Sequence, residues 1–196
     1  MNKRSRIRST GGVLAASAVA LVAVQGSSGA AGGKESPVAE RTTVCVGTRP
    51  AHSLPGRESS LLRVTIYIDK RGASRYKSVF TSVSVDERRN TATVYRIPSE
   101  AFDADICGHA EKGVKVRIHD SDVTLRQLYA MVDRVGDDMD RWDGRFELYT
   151  VGLDGSGHVV FGVDDPATAE PVLKKAFGTF WAKHILVEHT GQPRLD

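Results

Sequence analysis

One pattern occurs twice in this chain and limits what it can fold into. Two alternating apolar stretches, split by a polar turn, run into a proline, and a helical stretch and a further strand follow. The first copy reads SVFTSVSV, DERRN and TATVYRI, a hairpin by its period of two. Pro98 ends it, Ser99 is placed to cap a helix over EAFDADICGHA, Gly113 stops that helix, and VKVRI is the next strand. In the second copy FELYTVGL and HVVFGV flank the turn DGSG. Asp165-Pro166 closes it, a helix follows over ATAEPVLKKAFG although Pro171 limits its first turn, and WAKHILVEH is the last strand. Asp86 and Asp154 lie 68 residues apart, and so do Pro98 and Pro166. The expectation is an α+β fold of two related β-β-α-β halves, about 76–120 and 144–190, with antiparallel-rich sheets and helices on one face. A long helix over 122–142 joins them. Its Leu125, Leu128, Val132, Val135, Met139 and Trp142 recur every three or four residues as an apolar stripe, weakened slightly by Gly136. That stripe is expected to pack on Val83, Val94, Val116 and Phe161.

The N-terminus stands apart. Lys3, Arg4, Arg6 and Arg8 precede the apolar run VLAASAVALVAV and the small-residue stretch GSSGAAGG. This is the layout of a secretory signal peptide over 1–31, cut after Ala30 or Ala31. An uncleaved leader acting as an anchor is the alternative, although the run is short for a span, which takes about 20 residues. The whole chain carries +3, but removing four basic residues leaves 23 against 24 acidic ones, a net −1. Overall charge therefore gives no support for nucleic-acid binding. Residues 32–60, rich in Gly, Ser, Pro and charge, read as a flexible linker with TTVCVG as a short pinned segment. The domain proper spans 61–192, with a tail at 193–196. LLRVTIYIDKRG is ambiguous: Val64, Ile66 and Ile68 alternate as in a strand, while Leu61, Val64 and Ile68 share one helical face. The density of β-branched residues favours strand.

Few residues point to chemistry. Export favours a disulfide between Cys45 and Cys107, the only cysteines, with two free thiols as the alternative. Gly155 and Gly157 form a GxG, but Val160 replaces the third glycine, no Lys-Ser or Lys-Thr follows, and the loop opens a strand. A phosphate loop opens a helix, so these glycines are read as a turn and no cofactor is expected. The six histidines, His52, His109, His119, His158, His184 and His189, show no zinc-like spacing and are read as surface residues. Asp137, Asp138, Asp140 and Asp143 lack calcium-loop spacing, because Trp142 intrudes, and read as a solvated helix face. No metal site is expected. Ser156 sits in a hairpin tip, not a strand-to-helix elbow, and is assigned no catalytic role.

FTSVSVDERRNTATVYRIP, VKVRIHDSDVTLRQLYAMVDRV and VGLDGSGHVVFGVDD resemble uncharacterised exported proteins of actinobacteria. Their layout, over roughly residues 76–190, is similar to the pro-regions of streptogrisin and α-lytic-type serine proteases. There a helix is entered through a His-Ser or similar pair, and His119-Asp120-Ser121 with Leu125 stand at that place. The resemblance implies ferredoxin-like or prodomain-like halves and a domain that assists folding of a protease and then inhibits it, adding its sheet to the enzyme. The sequence ends at Asp196 without a protease domain, so such a role is expected to act in trans.

The function expected is thus an exported, non-catalytic module whose sheet edges bind a protein partner, a secreted protease or an envelope protein. No nucleic acid is expected, and a membrane only if the leader is uncut. Two alternatives stand beside it: an enzyme of unrecognised type using His109, His119 or His184 with nearby acids, and a structural envelope protein held by the leader.

Overall fold

The computed structural model describes residues 42–51 and 59–191, all within one compact unit, Glu35–Asp196. The expected signal peptide 1–31, much of the expected linker, His52 and the tail 193–196 lie outside the described residues.

The short pinned segment expected within the linker is a strand. Thr42–Val46 forms strand β1. It pairs antiparallel with β4 (Lys115–Asp120), and the Cys45–Cys107 disulfide ties it to helix α2 (Glu100–His109). Gly47 N–H donates to Val114 O at 2.8 Å, extending the attachment past the strand.

The stretch read as a strand at 61–72 is instead a helix, α1, Ser60–Ala73. Ser59 caps it, its hydroxyl accepting from Leu62 N–H. The cap and the buried stripe Leu61, Val64, Ile68 and Gly72 outweigh the β-branched preference. Ile66, inward on the strand reading, is exposed on the helix. Gly72 packs against Phe80, whose ring leaves no room for a Cβ.

Strands β2 (Phe80–Asp86) and β3 (Thr91–Arg96) form the first hairpin. Ser99 caps α2 by accepting from Phe102 N–H, and α2 crosses over to β4, which lies parallel to β3. The sheet order is β1-β4-β3-β2. Ala92, Val94, Val116 and Ile118 share one face of this sheet and pack with Leu61, Val64, Ile68, Phe102 and Ile106 as the first core. The opposite face carries Thr93, Tyr95, Arg117 and His119.

The long joining helix is shorter than expected. Helix α3 spans Leu125–Gly136, and a separate 3-10 turn covers Met139–Trp142. A capping box of Thr124 and Gln127 opens α3. Gly136 and the carboxylates of Asp137 and Asp138 close it, where the helix dipole disfavours negative charge. Its buried residues are Leu128, Met131 and Val135, while Val132 and Met139 are half-buried. The stripe meets Phe161 in a second core. Val94 and Val116 belong to the first, against which Leu125 alone of the stripe packs.

The second sheet has the order β5-β6-β7: Leu148–Leu153 antiparallel to Val159–Val163, which is parallel to Ile185–His189. Helix α4, Pro166–Ala182, makes the crossover, with Asp165 as its cap and a break at Gly178, φ 80°. Trp181–Lys183, expected in the last strand, instead complete this helical segment and its end. Three strand pairings are antiparallel and two parallel, so both sheets are mixed in an α+β fold. Among the described residues no helix is long and apolar enough to cross a membrane.

Candidate functional site

Residues 154–158 connect β5 to β6, so the glycine-rich stretch turns a hairpin and leads into a strand. The turn is built on one side chain. Asp154 accepts the N–H groups of Ser156 and His158 on Oδ1, at 2.8 and 3.0 Å. On Oδ2 it accepts the Ser156 hydroxyl and His158 Nδ1–H, the latter at 2.9 Å. Burial alone would raise the Asp154 carboxyl, but the bonds from His158 and Ser156 outweigh it and hold the group well below the usual carboxylate range. Gly157 takes φ 104°, a conformation only glycine adopts freely, with Thr81 beside it.

Asp154, Ser156 and His158 comprise the residue types of a nucleophilic triad, but the geometry is wrong. Ser156 Oγ and Asp154 Oδ2 both lie at Nδ1 of His158, at 3.0 and 2.9 Å. A relay places the base between the two, one on each ring nitrogen. Here the serine proton goes to the aspartate, and the three side chains cap the turn.

Two histidines expected at the surface are buried: His158 at 4% exposure and His184 at 0%. His184 donates from Nδ1 to the Gly157 carbonyl at 3.0 Å, bracing the turn from behind. Its Nε2 lies 2.9 Å from Asp122 Oδ1 but out of hydrogen-bond alignment, and Lys183 pairs with the same carboxylate. Burial pushes His184 below the ordinary imidazole value, with the Gly157 carbonyl and Asp122 pulling the other way. His119, on β4, meets Thr42 Oγ1 at 2.9 Å and stacks on Tyr95; burial and then Arg117 lower it, against Asp120. His109, on α2, bonds the Asp105 carbonyl and stacks on Tyr67 at 4.0 Å. Among the described residues the three histidines weighed for catalysis have no bonded partner in common. Asp137, Asp138, Asp140 and Asp143 are exposed. Among the described residues no group of three or more His, Cys, Asp or Glu side chains is placed to hold a metal.

The feature the sequence did not reveal is a groove of about 220 Å³ beside the turn. One wall is Thr81, Ser82 and Val83 of β2, the other Leu153, Gly155 and Gly157. Leu125, Leu128 and Tyr129 of α3 and Asp69 of α1 complete it. Ser82 Oγ donates to the Gly155 carbonyl at 2.7 Å and Thr81 Oγ1 to the Val123 carbonyl, fixing the walls to each other and to the loop before α3. The chemistry available is that of a binding surface: aliphatic side chains, one carboxylate, and the backbone of an edge strand. Compared with protein-family models, with curated proteins and with solved structures, the chain matches none of them.

Proposed function

We propose that this chain is an exported, non-catalytic module that binds a protein partner through a sheet edge, the partner being a secreted protease or an envelope protein. The observation that carries the reading is β2. It pairs only with β3 among the described residues, and Phe80–Val85 contains neither a charge nor a proline. A pairing irregularity and the burial of Phe80 and Thr81 blunt the start of the strand, whereas Ser82–Val85 carries no such device, and an unblunted stretch is a template for an added strand. The basic-then-apolar leader and the Cys45–Cys107 disulfide support export, since disulfides persist in oxidising compartments. The layout of the sequence, which resembles that of protease pro-regions, favours a protease over other partners. Purified protein is to be mixed with secreted serine proteases of the streptogrisin type, and complex formation and residual peptidase activity measured. A one-to-one complex with inhibition is expected. No complex and no inhibition across the set would refute the protease reading.

A further inference from the structure

The groove is lined by Thr81, Ser82 and Val83 of β2, an edge strand of its sheet and, at seven residues, the longest strand among those described. Its volume, about 220 Å³, is below the roughly 300–1,000 Å³ of sites that enclose a small molecule. It suits one or two side chains whose backbone is held elsewhere, and an unpaired strand edge alongside supplies that hold. The walls decide which side chains. Val83, Leu125 and Leu153 offer apolar surface, with Leu128 buried behind them, and Tyr129 stands half-exposed at 54%. Asp69 is the only charged residue lining the groove, and it is exposed. No ion pair joins it to any described residue, whereas Arg71, two positions on, is committed to Asp105. Asp69 also lies near the C-terminal end of α1, where the helix carbonyls add to its negative potential.

We infer that this groove docks an extended segment of a partner protein that pairs its backbone with β2, seats an aliphatic side chain among Val83, Leu125 and Leu153, and brings a Lys or Arg to Asp69. The inference rests on the sheet-edge reading and names the edge and the chemistry of what it holds. Specificity follows the general pattern of strand addition: backbone bonds supply attachment, and pockets for alternate side chains choose the sequence.

The test is a displayed library of random octapeptides selected against the full chain. The best peptide is then synthesised, and its binding sites are mapped by amide shifts. Enrichment of an aliphatic residue together with Lys or Arg is expected, with shifts at Thr81–Val85 and at Leu125 and Tyr129. Asp69→Asn is expected to weaken the selected peptide about two- to fivefold, the size of an exposed ion pair, and to leave its Lys→Gln counterpart unchanged. N-methylation of alternate peptide amides is expected to abolish binding. Selected peptides that map to β1, β5 or β7 would overturn the groove assignment while the sheet-edge reading survived. Binding indifferent to Asp69→Asn would overturn the charge assignment, and failure to select peptides for any edge would overturn both readings.

Discussion

Removing the disulfide by Cys45→Ala/Cys107→Ala is expected to destabilise the protein mainly through its unfolded state. The two cysteines are 62 residues apart. In the chain-entropy model a loop of that length costs the cross-linked unfolded chain about 14 cal/mol/K, or about 4 kcal/mol at 25 °C. The native state loses little by comparison. β1 keeps its five-residue register with β4, and Gly47 and Arg49 remain bonded to Val114 and Ala110. The assay is urea unfolding followed by both circular dichroism and tryptophan fluorescence. With a slope of about 2 kcal/mol/M, the midpoint is expected to fall by about 2 M. The choice of probes adds information, because Trp142 and Trp181 both belong to the second core while the disulfide lies at the first. If the two cores unfold together, both signals move equally. A midpoint that shifts by less than about 0.5 M would refute the reasoning. A shift in the dichroism alone would show that the sheets unfold separately.

Other expectations follow from single side chains. Leu128→Ala, at 1% exposure, is expected to cost about 2–5 kcal/mol, whereas the neighbouring exposed Tyr129→Ala stays within about 0.5 kcal/mol; thermal melts of both compare them directly. Arg96 is buried at 5% and bonds Asp103 twice and Asp120 once. Arg96→Ala strands two partly exposed carboxylates and is expected to cost about 2–3 kcal/mol by denaturant titration. The folded state depresses His184, so it resists a proton that the unfolded chain accepts below the ordinary 6.5. Stability from this residue is thus full above 6.5 and falls as pH drops through and below it, and His184→Gln should flatten that part of the stability–pH curve. Asp154 is depressed as well, so its contribution persists at neutral pH and is lost only below the ordinary 3.8, a loss absent from Asp154→Asn.

The hairpins were legible because alternation and punctuation agree. Val83, Val85, Thr91 and Thr93 alternate around a polar turn, and Ser99 and Asp165 cap helices just after the strands. α1 was misread because Val64 and Ile68 satisfy both periods, and only the Ser59 cap and the exposure of Leu62 and Ile66 separate them. β1 was half-read: five residues with no neighbouring hairpin signal become a strand only because β4, some seventy residues on, offers its edge. The burial of His158 and His184 was hidden for a similar reason, since it arises where the β5–β6 turn meets the residue before β7. The groove is the least legible feature. It exists because Thr81–Val83 and Leu153–Gly157 meet beside α3, and no local pattern records that approach.

The openness of β2 can be read without any partner, by amide hydrogen exchange on the isolated protein. Rapid exchange at every second amide of Ser82–Val85, beside strong protection throughout β3 and β4, is the result expected of an uncovered edge. Uniform protection along β2 would mean that the edge is already occupied, and the proposed docking would have no place to occur.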